Sequence, residues 1–466
     1  MCAVIPCATS HVFRVGCARD ANRDTIVNWG SRVMKAIVGK AGIGRPGRGK
    51  PGFVRLSATM ALALGVSMGA AAQDLLITNA RVLDGAGGII DNGSVVVRDG
   101  RIAEVRAGNA AAPDGARTID AAGRTVMPGY IDAHRHIVDG DPNEWLASGA
   151  ELQMRDFLAA GFTTVLSAID PPQLLQVRDR IAAGDMMGPR LFAGAFIPLA
   201  GPSGPPMPPG DPARFDQSRN GKSGPPAPAI PREQTVAAVE RIVDAGYDYI
   251  KNVIVTTPGG PEVETLKLIV AEGERRGVPT ITHAVSVVDT LAAVEAGPAQ
   301  LVHTPHIGHL ADYPNSVETI VSAGIPMVST LAVFSPHFDE NNEPLFRDGQ
   351  PFPWNTLTSA GDGPVNARLL WEAGITYAYG TDTSWPPKES LVDELRTLRL
   401  VFSPADVVTI LTKNAAEAIL YGEDLGTLEA GKLADIVIVD GDPLVSSDAL
   451  LNVAMTIKEG RVVFEQ

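Results

Sequence analysis

Six residues of this 466-residue chain bear metal-binding side chains, and each stands in or just past a short apolar run. His134 and His136 close Val126–His136 (VMPGYIDAHRH), and Lys251 lies within Tyr249–Val255 (YIKNVIV). His283 follows PTIT, His303 follows AQLV, and Asp382 ends Tyr377–Asp382 (YAYGTD). Imidazoles, a carboxylate and a lysine gathered in this way are a donor set for a catalytic metal centre. Histidines two apart on one strand leave the same face, so His134 and His136 can hold one ion. Each residue also has an ordinary reading. His283 or His303 alone could be a core histidine with a satisfied hydrogen bond, and Asp382 could cap a following helix. Lys251 could pair with an acid, because a bare ammonium facing a barrel interior is costly. Joint occurrence favours ligation. Beyond His11, every histidine falls between His134 and His337, a clustering that scattered surface histidines would not show.

Strands alternating with helices must carry these groups. Helical stretches end in Ala160-Gly161, Ala245-Gly246, Arg276-Gly277, Ala296-Gly297, Ala323-Gly324 and Ala373-Gly374, and an apolar or β-branched run follows each almost at once. Glycine suits the left-handed residue that closes a helix, and the alternation means βαβ units and a parallel sheet. With VMPGYIDA and RLFAGAF the strands number about eight, as in a barrel whose active site lies at the strands' C-terminal ends. Both ends of the chain read differently, as short strands broken by turns such as Asp99-Gly100 and Glu459-Gly460. The expected fold is α/β: a (β/α)8 TIM barrel with a small β-sandwich domain formed by both termini. The expected boundaries are 1–72 for a leader and upstream extension, 73–124 and 423–466 for the two parts of the β-domain, and 125–422 for the barrel.

The leader is expected to be a secretory signal. Lys35, Lys40, Arg45, Arg48, Lys50 and Arg55 precede the apolar run Leu56–Met68, and small residues lead to a cleavage site expected after Ala72, with Met34 an alternative start. All three cysteines (Cys2, Cys7, Cys17) lie in that segment, which excludes thiolate ligands and a cysteine nucleophile from an exported product. The chain is 45% hydrophobic, enough for a large core, and its net charge of −14 argues against nucleic acid or an anionic membrane as partner. No membrane span is expected in the mature chain. The composition leaves a homo-oligomer open. The segment 198–231 holds eleven prolines and follows the third strand, so it is either a lid over the barrel mouth or a disordered loop.

The motifs PGYIDAHRH, GYDYIKN, ITHA, LVHT and GTDT, with GTLEAGKLADIVIVDGDP (Gly426–Pro443), occur in an order and spacing that resembles the amidohydrolase superfamily, in its prolidase-like and imidazolonepropionase-related branch. The resemblance covers nearly all of residues 75–466. It implies two divalent ions, most simply Zn2+, the more buried held by His134, His136 and Asp382 and the other by His283 and His303. It also implies a CO2-derived carbamate on Lys251 bridging both, which would turn a costly buried cation into an anionic ligand. An exported enzyme of this kind would cleave a small-molecule amide, of peptide or N-acyl amino-acid type. A metal-bridged hydroxide would attack the carbonyl, with Asp382 as general base and then acid. Prolidase-like relatives commonly carry a tyrosine two residues after the fifth-strand histidine, where this chain has Val285, which weighs against a dipeptide with a free carboxylate. His306 and His309, in HTPHIGH, are further candidates for substrate contact. Alternatives are a lactonase or phosphotriesterase on the same centre, then a deaminase or a non-catalytic scaffold.

Overall fold

The computed structural model describes residues 74–201, 226, 228–335, 337–338, 344–345 and 357–466. The expected leader, the three cysteines and most of the proline-rich segment lie outside these residues.

The amino-terminal strands are β1 (Leu75–Leu83), β2 (Ile89–Arg98), β3 (Arg101–Ala107), β4 (Arg117–Asp120) and β5 (Thr125–Pro128). Next come β6 (Tyr130–Arg135), β7 (Phe162–Ala168), β8 (Arg190–Phe196), β9 (Tyr249–Val253), β10 (Thr280–His283), β11 (Gln300–Val302) and β12 (Met327–Val328). A small hairpin, β13 (His337–Phe338) with β14 (Pro344–Leu345), precedes β15 (Tyr377–Ala378). The chain ends with β16 (Ile436–Val439), β17 (Val453–Lys458) and β18 (Arg461–Glu465).

Two eight-stranded sheets result. One is parallel and runs β6 to β12 and then β15, each strand beside its predecessor. Backbone hydrogen bonds close it into a barrel: Ala133 N–H donates to the Tyr379 carbonyl (3.0 Å), and the Thr381 and Asp382 N–H groups donate to the His134 carbonyl (3.0 and 2.9 Å). The six glycines expected to end helices all have positive φ, between 67° and 96°, so each closes its helix in the left-handed conformation and frees the chain for the next strand. Ile131, Leu166, Phe192, Tyr249, Ile281, Val302, Val328 and Ala378 form a buried cluster with Ala415, Ala416 and Ile419, which joins all eight barrel strands to the short helix Lys413–Ala418 and the residue after it.

The second sheet is built from both ends of the chain, in the order β18-β17-β16-β5-β1-β2-β3 with β4 on β1. Its turns Asp99-Gly100 and Glu459-Gly460 put positive φ at both positions, the geometry of tight hairpins. The two turns meet: a Cβ on Gly460 would fall 2.9 Å from the Gly100 Cα. The sheet therefore curls around its own core of Ile77, Val95, Val97, Ile102, Val126, Ile436, Ile438 and Ile457.

VMPGYIDA, expected as one strand, is two. Thr125–Pro128 pairs with β1 and β16 in the terminal sheet, and Tyr130–Arg135 opens the barrel. Gly129 makes the crossing because nothing larger fits there, a Cβ falling 2.3 Å from Thr163 Oγ1 and 2.5 Å from its Cγ2. Gly129→Ala is expected to cost about 1–3 kcal/mol by overpacking. A urea midpoint that falls with unchanged slope would show it, and an unmoved midpoint would mean that Thr163 yields freely.

Candidate metal centre

All six predicted residues come to one end of the barrel. His134 lies in β6 with His136 just past it, Lys251 is within β9, His283 ends β10, His303 follows β11 and Asp382 follows β15. Among the described residues, His134, His136 and Asp382 form a group whose ligand atoms all lie within 4.8 Å of one another. The Asp382 Oδ1 is 3.0 Å from His134 Nε2 and 2.9 Å from His136 Nε2. Lys251 Nζ lies 3.3 Å from His134 Nε2. His283 and His303 stand edge to face with ring centroids 4.2 Å apart, and His303 in turn is 5.6 Å from His134.

Four residues at this end have left-handed backbone without being glycine: Ile169 (φ 62°), His303 (φ 81°), Thr330 (φ 44°) and Asp382 (φ 54°). Such conformations persist only where the surroundings over-determine them.

The protonation states suit ligation. Burial, and then the Lys251 ammonium, push His134 down to about 3. The same two causes take His283 to about 3, and burial with His283 takes His303 well below the usual histidine range. All three are neutral imidazoles, the form that binds metals. Burial alone would raise Asp382, but His303 and the hydrogen bonds from His134 and His136 outweigh it, so the carboxylate is held well below its usual range. Burial lowers Lys251 to about 7, against the opposing pull of Asp382.

The ring nitrogens are oriented as well. His136 Nδ1 donates to the Ala168 carbonyl (2.6 Å), which turns Nε2 towards Asp382. His303 Nδ1 meets Thr330 Oγ1 at 2.7 Å, and its buried Nε2 has no hydrogen-bond partner among the described residues. A ligand histidine needs this pattern, one nitrogen anchored and the other directed inward. His136 is the exception in charge: burial alone would lower it, but its hydrogen bond to Asp382 raises it. Three neutral imidazoles, this histidine on Asp382, an ionised carboxylate and a buried amine fit divalent metal ions.

The proposed substrate contacts are placed less directly. His306 is buried and stacked on Phe334 (4.4 Å), whose ring also packs edge-on to His303 (5.0 Å). The Val285 carbonyl accepts from the N–H groups of His306 (2.8 Å) and Ile307 (3.0 Å), so this residue shapes the loop through its backbone. His309 precedes the short turn Leu310–Asp312.

Behind these six residues is a polar layer that the sequence reading passes over. Asp132 Oδ1 accepts from the N–H groups of His134 (3.2 Å) and Thr381 (3.3 Å), and Asp132 Oδ2 accepts from Thr381 Oγ1 (2.8 Å). Glu394, which burial raises to about 7, accepts from the N–H groups of Leu331 and Ala332 (both 2.9 Å) and so ties down the turn after β12. Ser167 Oγ accepts from Ile137 N–H (2.9 Å) and donates to Asp170 (2.8 Å), fixing the chain beyond His136. Asp132 is a charge in an otherwise apolar run, and Glu394 interrupts the apolar stripe Leu391, Leu395, Leu398 of its helix. Both are legible signals that something buried needs an acid.

Residues 125–463 match the model of the amidohydrolase family. An imidazolonepropionase of Salinispora arenicola (strain CNS-205) is 26% identical over 392 residues, covering 78% of this chain and 90% of that protein. An imidazolonepropionase of Shouchella clausii (strain KSM-K16) is 31% identical over 204 residues, covering 42% of this chain and 40% of that one. Among solved structures, a Xaa-Pro dipeptidase with methionine bound in its active site superposes with a TM-score of 0.65 at 21% identity, over 84% of this chain and all of that one. The chain belongs to the amidohydrolase family, a class of hydrolases acting on carbon–nitrogen bonds. No helix among the described residues is long and apolar enough to cross a membrane.

Proposed function

We propose that this chain is an exported hydrolase that cleaves an amide bond of peptide or N-acyl amino-acid type at a two-metal centre. The convergence of His134, His136, Lys251, His283, His303 and Asp382 at the C-terminal end of the barrel carries the reading. His134, His136 and Asp382 would hold one ion, and His283 and His303 the other. Divalent ions, Zn2+ by preference for this donor set, supply Lewis acidity and lower the pKa of water.

Lys251 is the group whose chemistry ties the two sets together. Its amine is buried, and among the described residues it lies at hydrogen-bond distance from the His134 imidazole. Burial lowers Lys251 to about 7, so the uncharged amine is accessible near neutral pH. Its lone pair could add to the carbon of CO2 with loss of a proton from the nitrogen, and the anionic carbamate so formed would supply Lys251 as a ligand shared by the two sets of residues. Asp382 accepts the proton of the attacking water and delivers it to the leaving nitrogen, which departs as a neutral amine. His136 and His303, each anchored through Nδ1, keep the inward nitrogens in place.

The imidazolonepropionase relatives and the Xaa-Pro dipeptidase neighbour support a carbon–nitrogen bond as the target. The panel that tests this holds N-acetylmethionine, Xaa-Pro dipeptides, a lactone and a phosphotriester, offered to protein beginning at Gln73. Amide cleavage is the expected result. Turnover of the lactone or phosphotriester alone would transfer the centre to ester chemistry, and an inert panel would favour the scaffold. Export is tested separately: the full chain is expected to yield a secreted product starting at Gln73, and intact cytoplasmic protein would contradict it.

A further inference from the structure

Arg135 lies between two proposed ligands in sequence, yet it faces away from them. It is wholly buried, and its guanidinium carbon stands 4.9 Å from the centre of the Phe157 ring, on the helix Ala150–Ala159. The side chain therefore sits between the barrel wall and the helix layer. Burying a guanidinium is costly, and apolar residues of similar volume would pack there as well. Among the described residues its carboxylate neighbour is Asp132, at 3.5 Å too long for a strong ion pair.

Its other contacts explain its presence. One terminal nitrogen donates to Thr381 Oγ1 at 3.1 Å and the other donates to the Trp385 carbonyl. Thr381 is held a second time by Asp132, through both its hydroxyl and its N–H. Between these two anchor points lies Asp382, in a left-handed conformation that a non-glycine residue adopts only under constraint.

We propose that Arg135 is a positioning residue for Asp382: by clamping Thr381 and Trp385 it fixes the turn that seats the carboxylate between His134 and His136. This rests on the reading of Asp382 given above. The clamp acts from the outer face of β6, so it sets the carboxylate without touching substrate or metal. Lysine keeps the charge but loses the planar fork that reaches two acceptors at once.

A double-mutant cycle tests the proposal, read by zinc retention against a chelator and by N-acetylmethionine hydrolysis. Arg135→Lys is expected to weaken zinc retention about tenfold. It is expected to lower kcat on the order of 100-fold, with KM moving less than about threefold. In an Asp382→Asn background the same substitution is expected to change either readout by less than about twofold, because the group it positions is gone. Equal losses in both backgrounds would show that Arg135 only holds the fold together and would overturn the proposal, as would an Arg135→Lys protein with both readouts intact. If Arg135→Lys does not fold, Thr381→Val removes the same anchor at nearly constant volume. The same background dependence is expected of it, and equal losses count against the proposal. A normal kcat for Asp382→Asn alone would sink the role of Asp382 itself, and the clamp with it, and that single variant identifies the case.

Discussion

Asp382→Asn is expected to purify with its metal, held at least about tenfold less tightly against a chelator, and to lose about 100- to 10,000-fold in kcat, the range that positioned acid–base catalysis contributes. Asparagine is nearly isosteric, so the turn and its hydrogen bond from Asp382 N–H to the His134 carbonyl survive. Four imidazoles and Lys251 remain to bind the ions. What disappears is an anion held well below its usual pKa by His303, His134 and His136. No other ionised carboxylate in the compact group can take the proton of the attacking water. Zinc content beside steady-state kinetics distinguishes the outcomes. Normal turnover removes Asp382 from proton transfer, whereas lost zinc would mean that it serves chiefly as a ligand.

Lys251→Ala is expected to have the larger effect. Changes in groups that merely orient metal ligands cost about 10- to 100-fold in affinity or activity, so loss of a bridging ligand exceeds that range. Alanine leaves no nitrogen to carry a carbamate, and short carboxylates in the medium offer a chemical replacement. Activity is expected to fall below detection and to return in part with added formate or acetate. If activity persists at the wild-type level, Lys251 is a structural lysine and the two sets of histidines act without a bridge.

Much of this was open to inspection in the letters. The barrel was legible because six helices run into a glycine just before a strand, and a glycine in that place has one common structural use, matched by the positive φ of all six. The meeting of the six candidate residues was legible because the barrel converts position at a strand end into position at one end of the fold. Gly129 was not, since its neighbour Thr163 is 34 residues on and only tertiary packing shows that a Cβ cannot fit. The clamp was hidden for a similar reason. Asp132 and Arg135 stand in the same motif as His134 and His136, but Thr381 lies 249 and 246 residues away from them. Thr330 and Glu394 matter through contacts across neighbouring strands and turns, which no local spacing encodes. Sequence periodicity finds groups that face the site; the groups that hold them still become visible when the strands are side by side.

The measurement closest to the central claim is the metal content of the protein purified without chelator. Two divalent ions per chain, with hydrolysis that falls as they are removed and recovers as zinc is returned, is the expected result. A single ion, or none with hydrolysis unchanged by chelation, would contradict the two-metal centre.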